Sequence, residues 1–224
     1  MCHKNNSNSG KIIDIDEQTN NTMVLREEDT IFYKDKGVDF VKTYYAEDGI
    51  SEWKDPTTSR KVFFEILKNI EYSGKEVFMD CGCGLGHVVY LASKIFLKVI
   101  GVEILKEVFD QCKSNLSKLN PKWNNNVVLK NCDMFSVPDE IIDSVDIFYF
   151  SSPFDNVKQF KQWIDKITIS FYSKKRKIYF IYYYPRFEKE MMDSIFSFEN
   201  TIHTIGKVNI YSVSVDSNIS KSQS

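Results

Sequence analysis

The residues most able to do chemistry form one short run, Asp80-Cys81-Gly82-Cys83-Gly84-Leu85-Gly86. Glycines at alternate positions let a backbone pass close to a ligand and take up angles closed to other residues. Three readings of the run compete. A phosphate-cradling loop needs Gly-Lys-Ser/Thr, which this run lacks. A dinucleotide fingerprint needs glycines at 82, 84 and 87, and position 87 is His87. The third reading keeps Asp80 together with Gly82, Gly84 and Gly86. An anionic side chain before the turn suits a cationic group such as an amino-acid ammonium, and repels a pyrophosphate. Two more acids follow. Glu103 stands 23 positions after Asp80, where a carboxylate ending the next strand accepts both hydroxyls of a ribose. The alternative is a solvated acid opening a helix, where the dipole favours it. Asp133, with Met134 beside it, stands where an acid can accept a hydrogen bond from an adenine amino group while a thioether lies against the ring.

Those residues act together only if the chain brings them to one edge of a sheet. A turn at 55–58 leads into a helix over about 58–69, with Val62, Phe63, Ile66, Leu67 and Ile70 at helical spacing. After Ser73-Gly74 the pattern alternates. Strands are expected over 76–80, 98–103, 127–131, 145–150 and 177–184, and helices over 87–96, 104–119 and 156–167. In the helix over 104–119, Leu105, Val108, Phe109, Cys112, Leu116 and Leu119 are expected to face inward. Strand and helix in alternation imply right-handed crossovers and a parallel sheet covered on both faces. The end of the chain breaks that rhythm. Strands over 198–205 and 208–215, joined at Gly206-Lys207, read as a hairpin, so one of them runs antiparallel to the rest.

A hydrophobic content of 42% with 14% aromatic residues is enough for one sizeable core and excludes wholesale disorder. The domain is expected over 55–216, with a loosely attached polar tail over 1–22, an N-terminal cover or lid over 23–54 and a polar tail over 217–224. The cover carries Phe32, Tyr33, Phe40, Tyr44 and Tyr45. No apolar run is long enough for a membrane span, and the first residues lack the apolar stretch of a secretory leader. Five cysteines without an export signal read as reduced thiols of a cytoplasmic protein. Cys81 and Cys83 are too closely spaced, and too short of companions, for a zinc site, so no metal is expected. With 29 basic and 31 acidic residues the net charge is −2. That balance argues against a broad basic face and makes nucleic acid the least expected partner. The run Lys174-Lys175-Arg176-Lys177 reads as a solvated loop, and His87 as a packing or capping residue at a helix start.

The Asp-and-glycine turn, the acid at the second strand end and the acid after the third, in this order and spacing, resemble the class I S-adenosylmethionine-dependent methyltransferases. The terminal hairpin with its reversed strand matches that fold and separates it from dehydrogenases. The resemblance covers about 55–215. It implies an α/β, Rossmann-like fold with a mostly parallel seven-stranded sheet, S-adenosyl-L-methionine as methyl donor and S-adenosyl-L-homocysteine as product. By the same resemblance Asp80, Gly82, Cys83, Gly84 and Gly86 shape the methionine pocket and Glu103 holds the ribose. Asp133 then reads the adenine with Met134 against the ring, and Ile104 and Ser151 count among the cofactor-binding residues.

After the fourth strand comes Ser151-Ser152-Pro153-Phe154. Amino-methylating members of the fold often carry Asn/Asp/Ser-Pro-Pro-aromatic here. The chain is similar to small bacterial members with Asn-Pro-Phe, and shares with them Pro56-Thr57 and the ending Tyr184-Pro185. Ser152 and Phe154 are the catalytic candidates by this likeness, Ser152 standing where Asn is usual. Tyr182, Tyr183 and Tyr184 line a pocket or the core. The acceptor is expected to be a small molecule or a protein or peptide side chain. The alternatives are a non-catalytic S-adenosylmethionine-binding scaffold and a nicotinamide-dependent oxidoreductase.

Overall fold

The computed structural model describes residues 33, 36–38, 43–45, 52–54, 58–151, 153–172, 176–196 and 198–214. Two short strands, β1 (Thr43–Tyr45) and β2 (Glu52–Lys54), form an antiparallel ribbon. The main sheet holds β3 (Val77–Cys81), β4 (Lys98–Glu103), β5 (Val127–Asn131), β6 (Ile147–Ser151), β7 (Ile178–Tyr183), β8 (Glu199–Ile205) and β9 (Val208–Ser214). Its order is β5-β4-β3-β6-β7-β9-β8. The first five of these are mutually parallel, and β9 runs antiparallel to both β7 and β8. Strand order therefore reverses between β3 and β6, and a ligand crevice is expected outside the carboxyl ends on either side of that point.

Alternation along the strands sorts the core into two layers. Phe78, Tyr149, Ile181 and Ile210 point to one face, under α1 (Arg60–Leu67), α2 (His87–Ala92) and α3 (Lys106–Leu119). Met79, Phe148, Phe180 and Tyr211 point to the other, under α4 (Asp139–Ile142), α5 (Val157–Tyr172) and α6 (Glu188–Ile195). In α5 the buried Phe160, Trp163, Ile164, Ile167 and Phe171 recur at the spacing of one helical face. In α1 the Ser59 hydroxyl accepts from the Val62 N–H at 3.3 Å and caps the helix. All six residues of β7 are buried, as a central strand covered on both sides requires.

The strands fall within two residues of the expected bounds. Three expectations need correction. The third helix starts at Lys106, and Leu105 is 52% exposed where an inward position was expected. Its extended backbone places it before the first turn, outside the helical periodicity. Helix α6 follows β7 where sequence periodicity was masked by its charged first turn, Glu188 and Glu190. Strand β7 stops at Tyr183, and Tyr184 leaves the sheet in the left-handed region with φ 51°.

Part of the N-terminal segment docks on the domain. Tyr33 and Val38 are buried against Leu85, Tyr90 and Leu119, and the Lys118 ammonium donates to the Gly37 carbonyl at 2.7 Å. Phe32 and Phe40 lie outside the described residues.

Candidate active site

The glycine-rich turn is pinned from below. The N–H groups of Gly82 and Cys83 both donate to the Val102 carbonyl, at 3.0 and 2.8 Å, which draws the turn across the end of β4. The Asn115 amide donates to the Leu85 carbonyl at 3.1 Å and holds its far side from α3. Gly86 has φ 90°, and a Cβ there would come within 2.6 Å of the Cys112 sulfur. Position 86 therefore admits no side chain, on both conformational and steric grounds. Gly82, with φ 82°, lets Pro153 approach to 3.1 Å of where its Cβ would be, so the loop after β6 packs directly on the turn. A Cβ at Gly84 would meet nothing within 4 Å. The turn presents bare backbone there, which is the surface a closely passing ligand requires.

Glu103 ends β4 under this turn. Its carboxylate accepts from the Gly84 N–H at 3.1 Å and from the Leu105 N–H at 2.8 Å. Asn131, the last residue of β5, donates to the carbonyls of Glu103 and Ile104 at 2.9 and 3.0 Å. The acid is thus held in place by the protein's own backbone, with lone pairs to spare. Asp80, on the same face of the sheet, lies beside Gly101 of β4 and Tyr149 of β6. Burial, reinforced by the charge of Glu103, pushes its carboxyl up to about 8. A buried acid next to a second acid is an electrostatic demand for a cation, which an amino-acid ammonium meets.

The remaining cofactor candidates divide. Ile104 is 61% exposed beside Glu103, a free apolar surface at the expected adenine position. Asp133 is exposed, and its carboxylate caps the short turn Met134–Ser136 by accepting from the Phe135 N–H at 2.8 Å. Met134 is buried in the core on the α5 face. Cys83 is buried between Gly101 and Cys112. Ser151 is half-buried at the end of β6, paired with Tyr183. Ser152 lies outside the described residues. Phe154 is half-buried, its ring 5.9 Å from Phe135 and 6.4 Å from Phe160. It therefore ties the β6 loop to the turn that carries Asp133. Tyr182 is fully buried, stacked 5.1 Å from Phe160, while Tyr183 points to the opposite face.

Several residues of the site carry no plain signal in the sequence. Gly101 faces Asp80, and a Cβ there would sit 2.8 Å from Leu129 and 3.1 Å from the Cys83 sulfur. An isolated glycine inside a strand pattern was the available sign. Thr58 and Tyr149 share a buried hydroxyl–hydroxyl hydrogen bond across 91 positions. The His87 ring lies 3.1 Å from the Tyr33 hydroxyl, and burial pulls its pKa down to about 4. At the carboxyl end of β7, the Lys207 ammonium sits 4.6 Å over the Tyr184 ring and the Arg186 guanidinium 5.4 Å over Phe187.

A family model described as a methyltransferase domain matches residues 73–215. The chain belongs to this family. It carries a methyltransferase domain of the family whose methyl donor is S-adenosylmethionine, with the class I fold, so the nicotinamide-dependent alternative is not favoured. Among solved structures, a precorrin-6y C5,15-methyltransferase from Geobacter metallireducens has a TM-score of 0.55 at 14% identity, over 77% of this chain and 100% of that one. A tRNA (m1A58) methyltransferase from Aquifex aeolicus has a TM-score of 0.52 at 15% identity, over 72% of this chain and 71% of that one. At such identities the likeness concerns the fold. A curated relative from Clostridium tetani, named an uncharacterized RNA methyltransferase, is 28% identical over 116 residues, which is 51% of this chain and 24% of the relative. Another from Clostridium acetobutylicum bears the same description and is 34% identical over 80 residues, 31% of this chain and 17% of the relative. The chain thus spans about a quarter or less of the length of these relatives.

These relatives correct one expectation. Nucleic acid was the least expected partner on the strength of net charge, and the curated relatives are named RNA methyltransferases. A whole-chain charge of −2 averages over every surface and does not report the sign of one rim.

Proposed function

We propose that this methyltransferase acts on RNA. The observation that carries the reading is the make-up of the edge beside the cofactor turn. Because β9 is reversed, the Gly206-Lys207 turn lies at the carboxyl end of β7, next to Tyr183 and Tyr184. Lys207 over Tyr184 places an exposed cation on a half-buried aromatic ring at that end, and Arg186 over Phe187, paired with Asp155 at 3.3 Å, adds a second. Cations that contact phosphates, set among rings on which bases stack, are what a single-stranded nucleic acid needs. The relatives' names point the same way.

S-adenosylmethionine supplies an electrophilic methyl group on a sulfonium. The chain's own residues bind and aim. Asp80 faces the ammonium, Glu103 the ribose, and Ile104 and Asp133 the adenine, while Pro153, packed on Gly82, fixes the wall between donor and acceptor. In this reading Ser151, Pro153 and Phe154 line the passage to the acceptor, and Tyr33 and Val38 pack against Leu85 of the cofactor turn. The free thiols of Cys81, Cys83, Cys112 and Cys132 fit a cytoplasmic enzyme. Among the described residues no helix is long and apolar enough to cross a membrane.

The test is transfer of radiolabelled methyl from S-adenosylmethionine into a cell extract lacking this protein. Label that RNase removes and protease spares is the expected outcome. Label confined to protein or to small molecules would sink the RNA assignment and leave the methyl donor untouched.

A further inference from the structure

The family match begins at residue 73, yet a piece of chain well ahead of it packs against the glycine-rich turn. Tyr33 and Val38 are only 6% and 2% exposed. The Tyr33 carbonyl accepts from the N–H groups of Lys36 at 3.1 Å and Val38 at 2.9 Å, and Gly37 takes the left-handed φ of 63° that this closure needs. The result is a compact knob whose contacts converge. The Tyr33 hydroxyl lies 3.1 Å from Nε2 of His87, and the two rings meet edge to face at 5.1 Å. Leu85 packs on the same knob, and the Lys118 ammonium holds it from α3 through the Gly37 carbonyl. Leu85 and His87 are the two neighbours of Gly86, the residue that leads the glycine-rich run into α2 with no side-chain cap of its own.

We propose that Tyr33 is a positioning residue of the donor site, clasping Leu85 and His87 on either side of Gly86 so that the turn is set in shape for the donor. Glycine loses more conformational freedom on ordering than any other residue, and this turn holds three within five positions, Gly82, Gly84 and Gly86. A turn already fixed at its helical end leaves less ordering for the ligand to supply, which raises affinity without a new contact. The coupling is reciprocal: a donor that orders the turn holds the knob down by the same factor. The Tyr33 ring carries most of the effect. Burial lowers the His87 pKa to about 4, so at neutral pH its bond to the hydroxyl joins two uncharged groups and is the smaller part. The inference concerns the donor and stands whichever acceptor is methylated.

Two measurements on the full chain decide it: calorimetry with S-adenosylhomocysteine on wild type, Tyr33→Ala and Tyr33→Phe, and trypsin cleavage of the bond between Lys36 and Gly37. Tyr33→Ala should weaken S-adenosylhomocysteine by roughly tenfold. Tyr33→Phe, which keeps the ring, should weaken it by about threefold or less. In wild type, saturating S-adenosylhomocysteine should slow release of the fragment beginning at Gly37 by roughly tenfold, because cleavage there follows the population of the undocked knob. The digestion is run under conditions that leave the chain beyond residue 58 uncut, so that only local opening is read. The protection should vanish in Tyr33→Ala. Unchanged affinity in Tyr33→Ala would overturn the assignment, as would wild-type cleavage indifferent to the ligand. Should Tyr33→Ala fail to fold, the wild-type cleavage decides alone. A wild type with no affinity for S-adenosylhomocysteine would overturn the donor site and this inference together, whereas affinity that ignores Tyr33 overturns the inference only.

Discussion

The two halves of the ligand edge are built on different principles. Around β3, β4 and β5 the geometry is fixed by backbone, with glycine φ values of 52–90°, an acid clamped by two N–H groups and a second acid buried beside it. Around β6, β7 and β9 it is fixed by side chains: Phe154 against Phe135, Tyr183 against Tyr184, Lys207 over Tyr184. The first half recognises a ligand of constant shape and can be rigid. On the proposed reading the second receives a larger acceptor and presents an adaptable rim. Mutations should therefore act sharply on the first half and gently on the second.

The largest effect is expected from Gly86→Ala. A left-handed alanine costs about 1–2 kcal/mol, and overpacking against Cys112 adds roughly 1–3 kcal/mol. At about 2–4 °C per kcal/mol for a domain of this size, thermal unfolding should show a drop near 10 °C. An unchanged melting temperature would mean that the turn is far softer than its contacts imply. Next comes Glu103→Ala, which should weaken S-adenosylhomocysteine at least about tenfold by calorimetry, since charge-assisted bonds to two hydroxyls are lost. An intact affinity would remove Glu103 from the site.

The pH dependence of the ligand-free protein sharpens the contrast further. The Asp80 carboxyl, raised from 3.8 to about 8, binds a proton in the folded state that the unfolded state lacks, so its contribution to stability falls as pH rises through that window. His87, lowered from 6.5 to about 4, works in the opposite sense, and stability falls as pH drops from 6.5 toward 4. Between about pH 4 and 6.5 the two slopes oppose each other; from about pH 6.5 to 8 Asp80 acts alone. The difference in stability between Asp80→Asn and wild type should therefore grow over that upper range, by on the order of 1–2 kcal/mol. Saturating S-adenosylhomocysteine should erase the wild-type slope, because its ammonium replaces the proton. A slope that survives saturation would show that no cation reaches Asp80.

The smallest effect belongs to the second half. Lys207→Ala should change stability by less than about 0.5 kcal/mol. It should lower by about one the salt slope of binding to a labelled single-stranded RNA. An unchanged slope would take Lys207 out of the phosphate path.

The same division explains what the sequence made legible. Asp80, Glu103 and the glycines announce themselves because backbone geometry restricts which residue types are possible, and spacing then follows from strand and helix lengths. The acceptor rim obeys no such restriction. Nothing in Lys207 or Arg186 taken singly separates it from other surface cations, and only the reversed β9 puts the first beside Tyr184. The comparison with Lys174-Lys175-Arg176-Lys177 makes the point. That run is the densest basic cluster in the chain, and its described members lie at the opposite end of β7. Arg176 bonds the carbonyls of Asp143 and Val145, and Lys177 pairs with Glu71 at 2.9 Å. Cation density along the sequence does not report which end of a strand a cluster occupies. Thr58 and Tyr149 escaped for a related reason, since a contact across 91 positions has no local signature.

The reversed strand has a consequence for how such an enzyme diversifies. In a sheet of parallel strands alone, each segment reaching the ligand edge leads into a crossover helix, and lengthening it disturbs the packing of that helix. The hairpin between β8 and β9 ends in Gly206-Lys207, an exposed two-residue turn at the carboxyl end of β7, where the proposed acceptor rim lies. Residues inserted there would extend over the acceptor without altering strand register or either core layer. The fold thus has a graft point at which substrate range can evolve while the donor half stays constant.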